Sequence, residues 1–172
     1  GIAVAIQEAE KETNQGVLKL TRWRAGKTEE VQLKLRVMGT YAATAPYNCP
    51  KSKKIFDEAC KALEKEPLAE NWNGAINGLA LLATGKPEYL PRLQEYARKL
   101  GPTTLNLQSK GMGAWESGYR NLFLCEYFLA TGDPEVVHAI KEFTLSMARG
   151  QGMYGTFGHG FSEKTPDGKL HG

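Results

Sequence analysis

The chain has 172 residues, a formal net charge of +3, 41% hydrophobic residues and 24% charged residues. This is the composition of a soluble globular protein with room for one sizeable domain or two small ones. A charge of +3 is too small to indicate nucleic acid binding, no apolar run reaches the roughly 18 residues of a membrane span, and no basic-then-apolar leader begins the sequence. Since Gly1 already stands inside a periodic pattern and Gly172 inside a glycine-rich stretch, we expect a piece of a longer protein.

Residues 1–37 predict a helix followed by a β-hairpin. Apolar residues recur at helical spacing in "IAVAIQEAEKE" from Ile2 onward, and Gly16 is expected at the end of this helix. On both sides of "AGK" at 25–27 the apolar residues recur at every second position, as they do in a β-strand. A glycine with positive φ at this point would connect the two strands. The basic residues of this hairpin are expected to form a solvated strand face: Lys19, Arg22, Arg24, Lys27, Lys34 and Arg36.

The stretch "GVLKLTRWRAGKTEEVQLKL" at 16–35, with the helix before it, resembles the C-terminal half of a bacterial PDZ domain. The resemblance covers residues 1–37 and implies a peptide-binding unit. In PDZ domains a carboxylate-binding loop and its adjacent strand capture a peptide C-terminus by strand addition. Both parts would lie before Gly1, so peptide C-termini are an expected partner of a complete PDZ domain only.

Residues 38–51, "MGTYAATAPYNCPK", are predicted to be a linker because they combine prolines and small residues without periodicity. Cys49 and Cys60 could form a disulfide if the protein is exported, which would leave Cys125 as a free thiol buried on an apolar helix. The spacing of the cysteines is not that of a zinc site, and no metal or other cofactor is predicted.

From Ser52 to Gly172 the sequence predicts a helical domain. The first helix, "SKKIFDEACKALEKE", would take Ser52 as its N-cap and end before Pro67. Its predicted apolar stripe consists of Ile55, Phe56, Ala59, Cys60 and Leu63.

Two nearly identical octets, "LLATGKPE" at 81–88 and "FLATGDPE" at 128–135, indicate a helical repeat of 47 residues. Gly85 and Gly132 are expected in the left-handed conformation after a helix, and each following proline in the first turn of the next helix. Each octet is therefore predicted to be the turn of a helical hairpin. The first helix of each hairpin is apolar all round and should be buried on several sides, while the second is amphipathic and should cover it.

A period near 47 fits an open helical solenoid or a closed α/α toroid. The glycine-rich stretch "GMYGTFGHGF" at 152–161 resembles loops that precede inner helices in α/α-toroid proteins, and "GMYGTF" is expected to begin a third hairpin. The chain has the PDZ-like half first, then the stretch "TAPYNCPKSKKIF", then the helical hairpins. In this order it resembles a bacterial family of large multidomain proteins, and the resemblance implies an architecture but no activity. The resemblance implies a mostly α fold with a small α+β N-terminal part, and an exported or periplasmic location.

Two residues are candidates for catalysis. Glu126 stands inside "LFLCEYFLA", where a buried carboxylate would need a partner or would be held protonated as a general acid. The alternative is a glutamate that reaches solvent or pairs with an arginine. His159 lies between two glycines, and an accessible histidine there could act as a base, a proton donor or a metal ligand. The alternative for His159 is a surface loop without function.

Three aromatic residues are candidates for ligand binding: Trp115, Tyr119 and Tyr154. Trp115 and Tyr119 share one helix face and could stack on a sugar or an isoprenoid, although core packing is the common role of such a pair. On the same helix Glu116 and Arg120 are four residues apart, the spacing of a helical ion pair.

The polar stretch that follows His159 contains Glu163, Asp167 and His171, a spacing without a recognised metal geometry. Three functions remain open for the whole chain. The helical domain could bind or cleave a polysaccharide, it could be a non-enzymatic protein-binding scaffold, or it could handle isoprenoids. The acidic motif of terpene cyclases and the zinc ligands of prenyltransferases are absent from this sequence.

Overall fold

The computed structural model describes residues 1–100, 112–162 and 167. It is mostly helical with one small antiparallel hairpin near the N-terminus, which confirms the predicted fold class at this level. The chain divides into two compact units, Gly1–Ala62 and Leu63–Gly172. The helices and strands are α1 (Ile2–Ala9), β1 (Val17–Arg24), β2 (Lys27–Lys34), α2 (Pro50–Lys65), α3 (Trp72–Ala83), α4 (Leu90–Lys99), α5 (Gly113–Thr131) and α6 (Val137–Arg149).

The N-terminal unit contains the predicted hairpin. Leu18 of β1 stands opposite Leu33 of β2, and Leu20 stands opposite Val31, so the leucines of both strands lie on one face. The strands are joined at Ala25 and Gly26, whose φ angles of 50° and 79° are those of a tight two-residue hairpin turn. The predicted positive φ at the glycine is confirmed.

Gly16 has a different role from the one predicted. The helix α1 ends at Ala9, and a 3₁₀ turn at Glu12–Asn14 follows it before the chain reaches Gly16. The φ of Gly16 is +76°, and its N–H donates to the carbonyl of Ala9 at 2.7 Å. A Cβ at position 16 would lie 2.1 Å from the carbonyl oxygen of Leu35, so the glycine permits the close approach of the two chain segments.

The segment predicted to be a linker is bound to α1 and its extension. The backbone N–H groups of Met38 and Gly39 both donate to the carbonyl of Glu10 at 3.0 Å. The ammonium group of Lys51 lies 2.5 Å from the carboxylate of Glu10 and 4.5 Å from the centre of the Tyr41 ring. The Lys51 side chain is only 3% exposed, so this ion pair is buried at its cationic end.

The helix α2 begins at Pro50, so Ser52 is its third residue and the prediction of Ser52 as N-cap was wrong. Proline suits a first helical turn because its missing N–H has no partner there in any case. Within the predicted apolar stripe, Cys60 is buried whereas Ile55 and Phe56 are exposed. Cys49 and Cys60 are free thiols. Eleven residues of helix would separate them by about 16 Å, which is too far for a disulfide.

The C-terminal unit contains the two predicted helical hairpins. The pairs α3–α4 and α5–α6 each pack together, and α3 packs against α5. The φ angles of Gly85 and Gly132 are 65° and 69°, and the N–H of Gly132 closes the end of α5 on the carbonyl of Phe128 at 2.7 Å. The predicted left-handed glycines are therefore confirmed. A proline begins the 3₁₀ turn that leads into each second helix, Pro87–Tyr89 and Pro134–Val136.

The core between the hairpins is built on aromatic side chains. The Phe123 ring of α5 is fully buried, lies 5.0 Å from the Tyr96 ring of α4 and rests on Gly78 of α3. The hydroxyl of Tyr96 donates to the carbonyl of Ala69 at 3.0 Å, and burial raises the pKa of this tyrosine to about 12. Helices α3, α4 and α5 thus meet at one point.

The turn of the second hairpin is fixed by Asp133. Its carboxylate accepts hydrogen bonds from the backbone N–H of Glu135 at 3.1 Å and from the hydroxyl of Tyr127 at 3.1 Å, and it lies 3.5 Å from the guanidinium of Arg98. The backbone hydrogen bond from Glu135 is the largest of the effects that lower the pKa of Asp133. One side chain therefore connects α4, α5 and the start of α6.

The first helix of each hairpin, α3 or α5, which we call the inner helix, was predicted to be buried on several sides. This prediction was wrong for one face of each inner helix. On α5, Leu122 and Leu129 are 47% and 78% exposed, and on α3, Trp72 and Ile76 are 38% and 36% exposed. Each helix buries the face that meets the other hairpin. The opposite faces are apolar in sequence but are not covered by the residues that the structure describes.

Candidate functional site

Each inner helix carries an aromatic residue at the same position of the 47-residue repeat, Trp72 at the start of α3 and Tyr119 in the second turn of α5. Their ring centres lie 6.4 Å apart with planes tilted by 35°. The ring of Trp115 continues the series, 6.2 Å from Tyr119 and tilted by 30°. These three side chains, which we name the aromatic row, are all at least partly exposed.

An open groove of about 370 Å³ lies beside Trp115 and Tyr119, two of the three rings of the aromatic row. Its lining is almost wholly apolar and comes from α5, α6 and the loop after α6. We name it the aromatic groove. It is lined by Ala114, Trp115, Gly118, Tyr119, Leu122, Met147, Phe157 and Gly158.

The loop after α6 is held in place at both ends. The N–H of Ala114, in the first turn of α5, donates to the carbonyl of His159 at 3.0 Å. The N–H of Ser162 donates to the carbonyl of Gly150 at 2.9 Å. The Phe161 ring lies so close to Gly150 that a Cβ there would be only 2.2 Å from it. These contacts position Phe157 and Gly158 as one wall of the aromatic groove.

The position of Trp72 depends on the chain just before α3. The side chain of Asn71 accepts a hydrogen bond from the N–H of Gly74 at 3.1 Å and caps the helix. A Cβ on Gly74 would lie 1.9 Å from the carbonyl oxygen of Ala69, so only glycine allows the chain to enter α3 along this path. The guanidinium of Arg120 donates to the carbonyl of Glu70 and thereby links this segment to α5.

Charged groups accompany the aromatic row on α5. Glu116 and Arg120 form the predicted helical pair, with carboxylate and guanidinium 3.6 Å apart. The Arg120 side chain is nearly buried, while that of Glu116 keeps about a third of its surface exposed. The carboxylate of Glu116 is therefore engaged with the guanidinium of Arg120.

The structure brings together two of the three aromatic candidates. Trp115 and Tyr119 line the aromatic groove, whereas Tyr154 is 78% exposed and does not line it. His159 is exposed and contributes its carbonyl to the cap of α5 rather than its imidazole to the groove. Glu126 is also exposed, so the burial on which its candidacy depended is absent, and it lies seven residues after Tyr119, about 10 Å along α5.

The predicted polar stretch falls largely outside the described residues. Glu163 and His171 lie outside them, and Asp167 is exposed. Within the described ranges no group of three histidine, cysteine, aspartate or glutamate side chains is placed to hold a metal ion. In the same part of the chain no helix is both long and apolar enough to cross a membrane.

Seven residues of the site were not predicted from the sequence, and the larger side chains among them are those of Trp72, Leu122, Met147 and Phe157. Trp72 belongs to the row, and Leu122, Met147 and Phe157 line the groove. The position of Trp72 exactly one repeat before Tyr119 was a usable signal, because equivalent positions of neighbouring repeats lie side by side. No comparable signal in the sequence brings Met147 and Phe157 to the start of α5.

A family model described as "Domain of unknown function (DUF6288)" matches residues 52–172. Comparison with curated proteins and with solved structures finds no match.

Proposed function

We propose for this chain, which belongs to the DUF6288 family, that its helical unit binds a polysaccharide along the aromatic row. The observation that carries the proposal is the run of three partly exposed rings, Trp72, Tyr119 and Trp115, at spacings of 6.4 and 6.2 Å. The C–H face of a pyranose ring packs on an aromatic ring, and successive rings offer contacts to successive sugars.

The aromatic groove suits this function in its shape and composition. Ligand sites are mostly apolar and use a few placed polar groups for orientation. Here the lining side chains are apolar, and the rings of Trp115 and Tyr119 offer the stacking surfaces.

Binding without cleavage is the form of the proposal that the geometry favours. Glycosidases use two carboxyl groups about 5–9.5 Å apart on either side of the bond that breaks. Among the described residues, Glu116 is engaged with Arg120, and Glu126 lies farther along α5 in solvent. His159 is exposed and directly follows Gly158 of the groove in the chain, and a catalytic role for its imidazole would require a substrate that reaches beyond Gly158.

The wider architecture proposed from the sequence also has support. Two helical hairpins packed side by side are the unit from which an α/α toroid is built, and the N-terminal helix and hairpin have the order of elements of a PDZ half. We therefore retain the proposal of an exported protein that joins a toroid-like unit to a PDZ-like unit for peptide C-termini. Its test is the binding of peptides with free C-termini to this protein, measured by fluorescence polarisation of labelled peptides.

Affinity electrophoresis in gels that contain a panel of neutral and acidic polysaccharides tests the binding proposal. We expect retardation of the chain by at least one polysaccharide. Trp115→Ala should weaken it roughly tenfold, about 1.4 kcal/mol, because one stacking surface is lost. Trp23→Ala is the matched control, since Trp23 is equally bulky, highly exposed and located on the hairpin of the other unit.

Intrinsic fluorescence gives an independent measurement. The chain has three tryptophans, so Trp23→Phe leaves only Trp72 and Trp115 as emitters. A polysaccharide bound on the aromatic row should shift their emission with the same affinity that the gels report. Equal retardation of the Trp115→Ala and Trp23→Ala variants would contradict the proposal. Binding of isoprenols but not of any polysaccharide would favour the isoprenoid alternative.

A further inference from the structure

Gly118 lies in the aromatic groove, on the face of α5 that also carries Trp115 and Leu122. Residues three or four positions apart share one face of a helix, so Gly118 stands about one turn after Trp115 and one turn before Leu122. Between these two large side chains the floor of the groove is therefore a position without a side chain.

The fold of the described residues does not require glycine at position 118. The residue lies inside α5, where any L-amino acid other than proline adopts the backbone conformation without strain. Among the described residues, a Cβ there would meet only the Cε atom of Met147, at an ordinary distance of 3.7 Å, whereas at Gly78 it would come within 2.8 Å of the Phe123 ring. Glycine inside a helix is less favourable than alanine, so position 118 carries a cost in stability that packing does not explain.

We propose that Gly118 determines the specificity of the aromatic groove by admitting a sugar substituent that ends in a methyl group, such as the acetamido group of an N-acetylhexosamine. The inference rests on the proposed binding of a polysaccharide along the aromatic row. One turn of helix rises about 5.4 Å, so a substituent on a sugar stacked against Trp115 can reach the space over Gly118. An added Cβ would hold that substituent off by about 1.5 Å, the length of one carbon–carbon bond.

The chemistry of the lining favours a methyl group over a hydroxyl at this point. None of the described residues that line the groove has a charged side chain, and the methyl group of Met147 is the side-chain atom nearest to the place where a Cβ of residue 118 would stand. A hydroxyl packed against Met147 would give up hydrogen bonds to water, because a thioether is only a weak acceptor. A methyl group in the same place removes apolar surface from water instead.

Isothermal titration calorimetry of the full chain tests the proposal with soluble oligosaccharides of chitin and of cellulose, equal in length, which differ in the acetamido group or hydroxyl on each sugar. We expect the chitin probe to bind roughly fourfold more tightly, the factor that burial of one methyl group contributes. Gly118→Ala should remove this preference, while thermal unfolding shows a chain at least as stable as the unchanged one. Gly118→Leu should weaken the binding of both probes roughly tenfold or more, because leucine fills the floor of the groove.

Ala130→Leu is the matched control, since it adds a leucine at an exposed position of the same helix that does not line the groove. It should leave both affinities unchanged. An effect of Ala130→Leu as large as that of Gly118→Leu would refute the assignment of specificity to the groove floor.

Trp115→Ala separates this inference from the proposed function. Three results would refute the role of Gly118 while leaving polysaccharide binding intact: binding that Trp115→Ala weakens but Gly118→Leu does not, equal affinity of the unchanged chain for both probes, or binding of other polysaccharides but of neither probe. If the chain binds no polysaccharide at all, the proposed function and the role of Gly118 are both wrong.

Discussion

The ring of Phe123 lies so close to Gly78 that a Cβ at position 78 would come within 2.8 Å of its Cε2 atom. Phe123 is fully buried between α3, α4 and α5, so its ring has little room to move aside. Gly78→Ala should therefore destabilise the chain by about 1–3 kcal/mol through overpacking, although alanine is the better helix former by about 1 kcal/mol. Urea denaturation followed by circular dichroism measures the change.

Gly118→Ala is the control for this substitution. Gly118 is also inside a helix, but a Cβ there would meet only the Cε atom of Met147, at an ordinary contact distance of 3.7 Å. Helix propensity should then decide the result, and the variant should gain up to about 1 kcal/mol. Changes of opposite sign in the free energy of unfolding of the two alanine variants would establish the ring contact as the cause. Stabilisation by both substitutions would refute it.

The buried ion pair of the N-terminal unit predicts an asymmetric response to mutation. Glu10→Gln would leave the ammonium of Lys51, which is 3% exposed, without its carboxylate. We expect a loss of about 3 kcal/mol, because an uncompensated buried charge is strongly unfavourable. Glu8→Gln breaks the exposed pair with Lys11 and should cost no more than about 0.5 kcal/mol. Comparable losses in thermal or urea unfolding would disprove the asymmetry.

The turn carboxylate predicts a pH dependence of stability. Since hydrogen bonds lower the pKa of Asp133 in the folded state, the unfolded chain takes up the proton first as pH falls. The contribution of Asp133 is therefore present above the ordinary aspartate pKa of about 3.9 and is lost as pH falls through the folded value. Asp133→Asn should destabilise the chain clearly at pH 7 and much less at pH 2–3. An equal effect at both pH values would mean that the charge is unimportant.

Two cysteines should differ in the pH at which they are alkylated. The hydroxyl of Ser52 and the backbone N–H groups of Ala42 and Ser52 lower the pKa of Cys49 to about 7. Burial raises the pKa of Cys125 above the usual value for a thiol. Mass spectrometry of iodoacetamide adducts should place the midpoint for Cys49 near pH 7 and that for Cys125 at a higher pH. Coinciding midpoints would contradict this assignment.

The hairpin turns could be predicted from the sequence because local chemistry determines them. A left-handed glycine followed by a proline ends one helix and begins the next whatever surrounds them, so Gly85 and Gly132 were assigned correctly from the octets alone. The β-turn at Gly26 was predictable for the same reason. The alternation of leucines predicted the shared face of the strands, which the register from Leu18 to Leu33 bears out.

The burial of side chains was predicted less well because it depends on distant segments. The helical period correctly places Ile55 and Phe56 on one face of α2, but it does not state whether another segment covers that face, and both are exposed. For Glu126 the apolar neighbours in sequence left two interpretations open, a buried carboxylate and a glutamate that reaches solvent or pairs with an arginine. In α5 those neighbours point to several sides of the helix, and Glu126 points to solvent. The aromatic groove could not be predicted because one of its walls is the loop after α6, and the sequence does not indicate where this loop lies.

The hydrogen bond from Ala114 to the carbonyl of His159 has a consequence for synthesis on the ribosome. The donor and the acceptor are 45 positions apart in the chain (159 − 114), so the first turn of α5 lacks this partner until the later residue has been added. At roughly 5–20 residues per second, that interval is about 2–9 s. The end of α5 that carries Trp115 is thus expected to be completed late, after both hairpin turns have left the peptidyl-transferase centre.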